Sequence, residues 1–334
     1  MFSIEKIPFG PYVQHRLQSA DGRTALHIVP EAGANASQIV LNGQPILDGF
    51  ETPEALLEAK GGKSAVLFPF PNRLQDGAYT WNGQTHQFPI NNPATANAIH
   101  GFVRKEAFEV DQVVLANHYA SINCSYHYSG KYDHFPFPFQ LDLEFSVYTR
   151  GIFRLSVTVR NLNHFDMPVG FGWHPYFKLA DTTDAHALQL PPCDLVEVDA
   201  RLLPTGVRTP YNAFSPAKVV PVEATRLDNC FAYAGHDEAY ALTLQGPAGQ
   251  LHLKTDAASF PFFQIFTPDD RLSIALEPMS CNVDALNNHD GLVQLAPNAT
   301  WHATIEVQLI YPPTNTYQYE RHDHPNNINP KTTD

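Results

Sequence analysis

The segment VGFGWHPYFKL, running from Val169 to Leu179, places one titratable side chain, His174, among a tryptophan, a proline and two further aromatics. A histidine in such a run is either a satisfied core residue or a proton donor or acceptor held at a cleft that binds something flat and polar. A second awkward group is Glu277, which ends the apolar run Ile274-Ala275-Leu276 and precedes Pro278. Burying an unpaired carboxylate is costly, so Glu277 must face solvent, a partner or a cleft. An imidazole and a carboxylate set on either side of a reacting unit could supply one acid and one base.

Three more stretches put polar side chains among apolar neighbours. FPFPNRLQDGAY (68–79) carries Asn72 and Arg73 after a proline-rich run. NAIHGFVR (97–104) carries His100 beside Gly101 and ends on Arg104, and RLDNCF (226–231) carries Asp228. Taken singly, each has a structural explanation. His100 would be a core or loop histidine, Arg73 an ion-pairing surface residue, and Asp228 a turn residue.

Short strands must position these groups. LDLEFSVYT (141–149) alternates Leu141, Leu143, Phe145 and Val147 against Asp142, Glu144, Ser146 and Tyr148. IFRLSVTVRNL (152–162) does the same with Phe153, Leu155, Val157 and Val159 against Arg154, Ser156, Thr158 and Arg160. Period-two alternation predicts half-buried antiparallel strands, with Arg150-Gly151 as the turn between them. Similar runs at 107–115, 119–128, 239–244, 249–254, 272–277 and 301–310 predict further strands. One short helix is predicted in TPEALLEAKGG (52–62), capped by Thr52, started by Pro53 and ended by Gly61. With 28 prolines and 19 glycines in 334 residues, the chain is punctuated for many short elements. The expectation is an all-β protein, a large antiparallel β-sandwich, with one domain over 1–311 and a polar tail over 312–334.

In order and local context, these motifs resemble the galactose mutarotase (aldose 1-epimerase) family. The matching stretches are NRLQDGAY, IHG at 99–101, HPYF at 174–177, LDNCF and LEPMSCNVDALN. The resemblance spans about residues 20 to 310. It implies a galactose mutarotase-like supersandwich and an isomerase that opens and recloses a sugar ring. It also implies roles for individual residues. Glu277 would be the base that takes the C1 hydroxyl proton, and His174 the acid that protonates the ring oxygen. Arg73, His100 and Asp228 would hold the ring, with Asn72 a further candidate. Trp173 and Tyr176 would either wall the sugar's C–H face or pack in the core. Such chemistry consumes no net proton and requires no cofactor and no metal.

HGFVRKEAF (100–108) is also similar to the hexose-6-phosphate epimerase branch of the same superfamily, which makes Arg104 a candidate binding residue. Against that branch, the region upstream of His100 reads KGGKSAVLFPFPNR, without an Arg-Gly-Gly-Ile-Pro run. A free aldohexose is therefore expected ahead of a 6-phosphate, with Arg104 as the residue that would reverse the order. A non-catalytic carbohydrate-binding protein is the alternative from another class. A net charge of -13 without a basic run disfavours nucleic acid and anionic membranes. No apolar stretch approaches the ~18 residues of a spanning helix. The N-terminus lacks a basic region followed by an apolar one, and the four cysteines form no CxxC. These features lead us to expect a cytoplasmic protein, monomeric or homodimeric, whose partner is a small sugar.

Overall fold

The computed structural model describes residues 1–214 and 216–310; the tail expected at 312–334 lies outside the described residues. Three antiparallel sheets carry most of the chain. The largest has nine strands. Its centre is formed by the neighbours Tyr119–Tyr128, Phe139–Tyr148, Ile152–Asn161 and Thr300–Ile310. The predicted alternation is realised there: Phe153, Leu155, Val157 and Val159 are buried, while Arg160 is exposed. Gly151 makes the turn between the Phe139–Tyr148 and Ile152–Asn161 strands at φ 71°, a left-handed conformation that glycine adopts without strain.

An eight-stranded sheet faces the first. Its central neighbours are Asp228–Tyr233, Phe262–Phe266, Ile274–Met279, Gly172–His174 and Ala65–Leu67. Apolar side chains from both sheets interdigitate. The ring of Phe153 lies 5.4 Å from Trp173, and that of Tyr240 lies 5.8 Å from Phe263. A five-stranded N-terminal sheet adds Leu17, Leu26 and Ile39 to the same apolar core. The architecture is thus the expected large antiparallel β-sandwich.

The helix at 52–62 is shorter than its sequence pattern. It spans Pro53–Glu58, with the Thr52 hydroxyl accepting from the Ala55 amide. Ala59, not Gly61, stops it by turning left-handed at φ 48°, and a 3-10 turn over Lys60–Gly62 follows. Among the described residues, no helix is long and apolar enough to cross a membrane.

Candidate active site

The face of the eight-stranded sheet that points away from the core carries two cross-strand rows. In one, Cys230 pairs with Gln264 and Gln264 with Glu277. In the other, Asp228 pairs with Phe266, Phe266 with Ala275, and Ala275 with Tyr176. Side chains two apart on a strand share a face, so both rows look into the same cleft. Its volume is about 440 Å³, within the range typical of small-molecule sites. His174 enters from the neighbouring Gly172–His174 strand, where it pairs with Ala65.

Two loops close the cleft from above. The short strands Arg73–Gln75 and Asn97–Ile99 pair with one another, with Ile99 opposite Arg73. At their end, Asn72 and His100 both adopt left-handed backbone, at φ 54° and 68°, and the His100 amide donates to the Asn72 carbonyl at 2.8 Å. Asn tolerates that conformation; a histidine there is strained and must be held by its surroundings. Gly101 does the holding. It sits at φ 58°, and a Cβ on it would lie 2.0 Å from the Phe68 carbonyl oxygen. On the other side, Asp284 accepts from the Gln75 amide and donates its own amide to the Arg73 carbonyl, both at 2.8 Å, which fixes the strand that carries Arg73.

At the floor, Glu277 Oε2 lies 3.5 Å from His174 Nε2, and their side chains are only 2% and 6% exposed. Tyr176 stacks flat on the His174 ring at 4.9 Å and donates its hydroxyl to the Gly61 carbonyl at 2.8 Å. His100 meets His174 edge-on at 5.2 Å. Arg73, Asn72, Gln264 and Asp228 form a closed circuit. Arg73 donates to Asn72 at 3.0 Å, Asn72 to Gln264 at 3.2 Å, Gln264 to Asp228 at 2.6 Å, and Arg73 reaches Asp228 at 3.5 Å. Among the described residues, Glu277 Oε2, His174 Nδ1, His100 Nδ1 and Arg73 Nε have no hydrogen-bond partner. Buried polar groups are normally satisfied, so a cleft lined with unsatisfied ones is suited to a polyhydroxylated ligand.

Burial also sets the protonation of the pair. It raises Glu277 well above the ordinary carboxylate range; Asp228 reinforces the rise and Arg73 opposes it. It pushes His174 down to about 3, helped by the charge of Arg104. His100 is lowered by burial and by His174, Arg104 and Arg73. Burial thus opposes charge on both members of the pair, which favours a proton held on the carboxyl over an ion pair.

The structure brings Glu277, His174, Arg73, His100, Asp228, Asn72 and Arg104 to one cleft. Trp173 is the correction. It is the immediate neighbour of His174 on a strand, so it points to the opposite face, is 0% exposed and packs on Phe153 and Phe177. An aromatic of that size contributes most to folding when fully buried, which explains its place in the core. Tyr176, for which either role was open, lines the cleft, as does Phe266. Gln264 escaped the sequence reading; its signal is one polar residue inside the apolar run FPFFQIF (260–266). A larger cavity of about 570 Å³ lies against the N-terminal sheet. Some of its polar side chains bond one another, as Arg16 with Gln14 and Gln14 with Ser37, and among the described residues its His27 forms no ion pair with a carboxylate.

Comparison with known proteins shows the family and the fold. The family model for aldose 1-epimerase matches residues 15–308. The uncharacterised protein YihR of Escherichia coli K12 is 26% identical over 269 residues, which cover 79% of this chain and 83% of YihR. A galactose mutarotase-like protein from Clostridium acetobutylicum superposes with a TM-score of 0.82 at 19% identity, over 92% of this chain and 99% of that one. Galactose 1-epimerase from Lactobacillus acidophilus superposes with a TM-score of 0.77 at 15% identity, over 92% and 98% of the two chains.

Proposed function

The chain belongs to the aldose 1-epimerase family, and from that premise we propose that it interconverts the α and β anomers of an aldose by acid–base ring opening and closure. The observation that carries this reading is the buried Glu277–His174 pair at 3.5 Å, facing a cleft beside unsatisfied donors and acceptors.

Opening the ring breaks the bond between C1 and the ring oxygen. The C1 hydroxyl gives up its proton, its oxygen becomes the aldehyde oxygen, and the ring oxygen takes a proton. Glu277 accepts the first proton and His174 donates the second. Rotation about C1–C2 then presents the other aldehyde face, and closure returns both protons. The directions of the two proton affinities favour the opening step. It starts from carboxylate and imidazolium and ends at carboxylic acid and neutral imidazole, the distribution that burial prefers. Hydroxyl groups donating to Glu277 on sugar binding would stabilise the carboxylate form that opening requires. Arg73, Asn72, Gln264 and Asp228 form a rigid polar wall to hold ring hydroxyls, and Tyr176 fixes the plane of the acting imidazole.

The test is polarimetric. Adding the protein to freshly dissolved single anomers of common aldoses and their anionic derivatives should speed the approach to anomeric equilibrium without forming a new compound. Equilibration at the spontaneous rate for every sugar tried would contradict the proposal.

A further inference from the structure

The stretch KGGKS (60–64) lies beside the imidazoles of the cleft. Gly61 and Gly62 take left-handed φ of 73° and 67°, and Ser64 follows at 57°. A non-glycine residue stays in that region only where its surroundings hold it. Here the holding contacts converge on the segment that carries His174. The Ser64 amide donates to the His174 carbonyl and the Tyr176 hydroxyl to the Gly61 carbonyl, both at 2.8 Å. A Cβ on Gly62 would lie 3.7 Å from His174 Cδ2 and 4.0 Å from His100 Cδ2, so the backbone of the turn packs against both rings.

Lys63, in the same turn, does not line the cleft. Its ammonium lies 6.0 Å from the centre of the Tyr176 ring, the ring that stacks on His174, and 2.7 Å from the Asp48 carboxylate. Asp48 in turn reaches the segments that carry both the acid and the base. Its amide donates to the Tyr176 carbonyl at 2.8 Å. Its Oδ2 also accepts from the Ser273 hydroxyl at 2.8 Å, and Ser273 immediately precedes the Ile274–Met279 strand that carries Glu277. The Lys63 and Asp48 side chains are only 24% and 17% exposed, so their attraction is screened less than that of an open surface pair. One ion pair therefore ties together the turn packed on His174, the tyrosine stacked on His174 and the start of the Glu277 strand.

We infer that Lys63 and Asp48 are positioning residues: their ion pair holds the Tyr176 ring, and through it the His174 imidazole, in place relative to Glu277. The inference rests on the mutarotase reading for the work that His174 does. An acid and a base must meet the reacting atoms within a narrow range of distance and angle. A small displacement of the imidazole therefore slows the proton transfers more than it weakens sugar binding. Neither the Lys63 nor the Asp48 side chain lines the cleft, so the pair acts through Tyr176 and the turn and not on the sugar.

The test uses Lys63→Met, which keeps an unbranched side chain and removes the charge. Asp48→Asn is the second variant; it preserves size and the backbone amide that meets the Tyr176 carbonyl, and it carries the test if Lys63→Met does not fold. Each should lower kcat for anomer exchange about 10- to 100-fold while KM moves by less than about threefold, the pattern of a misplaced catalytic group and not of a lost binding contact. The double variant should be no slower than the slower single one, because the two residues act as a unit. Lys63→Arg should restore most of kcat, since a guanidinium both pairs with a carboxylate and stacks on an aromatic ring. A second readout needs no sugar. Parallel stacking places the His174 ring protons in the shielding field of the Tyr176 ring. Their NMR signals, assigned with His174→Asn, should shift in Lys63→Met and return in Lys63→Arg. Unchanged kcat or unchanged ring signals in a folded variant would overturn the inference, as would a rise in KM that accounts for the whole loss. Should the wild-type protein exchange no sugar, the mutarotase reading fails, and the His174 signals alone decide whether the ion pair positions the ring.

Discussion

Glu277 and His174 behave as one titrating unit, and this determines how activity must respond to pH. Ordinary side-chain values would have Glu277 ionised at neutral pH and His174 gaining its proton only near 6.5. Burial opposes charge on both, raising Glu277 and lowering His174. Exchange needs the pair to hold one proton. The acid limb of the profile marks a second proton, which His174 resists down to about 3 while Glu277 is neutral. The alkaline limb marks loss of the shared proton, which Glu277 holds well above the usual carboxylate range. Turnover measured against pH should therefore remain high well below pH 6.5. An acid limb centred near 6.5, the value of an exposed histidine, would contradict the shared-proton description. The residue types were legible in the sequence; their proton affinities were not, because desolvation depends on packing from chain segments some hundred residues apart.

At the scale of elements, the cleft depends on a turn that only glycine can complete. Gly101 combines a left-handed φ of 58° with a Cβ position 2.0 Å from the Phe68 carbonyl oxygen. Gly101→Ala must push the Asn97–Ile99 strand and His100 away from Asn72. A loss of about 1–3 kcal/mol in unfolding free energy is expected, with a sugar affinity reduced beyond what that loss explains. Chemical denaturation and calorimetric titration would check both, and an unaltered affinity would show that this turn does not position His100. Strands were readable from alternation, and the same alternation explains why Trp173 and His174, adjacent in sequence, serve opposite faces. Gln264 was not readable. Its importance comes from lying across from Glu277 and bridging Asn72 to Asp228, and pairing between strands is not printed in a single chain.

Among the described residues the main apolar core draws on all three large sheets, from Phe2 to Leu309, with two smaller clusters beside it. We therefore propose that residues 1–310 unfold as a unit: thermal melting should show one transition, and limited proteolysis should yield no two stable halves. Melting should also depend on pH in a defined direction. His27 is pushed down to about 4 and His174 to about 3, each chiefly by burial, and His100 is lowered as well. In the unfolded chain these histidines take up protons near 6.5, so between 6.5 and the folded values the unfolded state binds more protons. Stability then falls as pH falls, by about 1.4 kcal/mol per pH unit for each histidine. Glu277 opposes one of them, because its raised affinity means stability is lost as pH rises above its unfolded value. The melting temperature should be lower at pH 5 than at pH 7; an equal or higher value would contradict this balance. That the fold is a sandwich followed from strand spacing and turn residues, whereas which sandwich it is came from the resemblance and then from the sheet order.

The most direct measurement is anomer exchange by NMR at equilibrium, comparing the wild-type protein with Glu277→Gln. The amide preserves size and can still meet the C1 hydroxyl, but it cannot take its proton. Exchange should fall by ~10²–10⁴ while the sugar still binds, the usual worth of one positioned base. The variant should also be folded and more stable at neutral pH, since it no longer risks burying a charge. Near wild-type exchange in a folded Glu277→Gln protein would contradict the account and move the search for the base to Asp228.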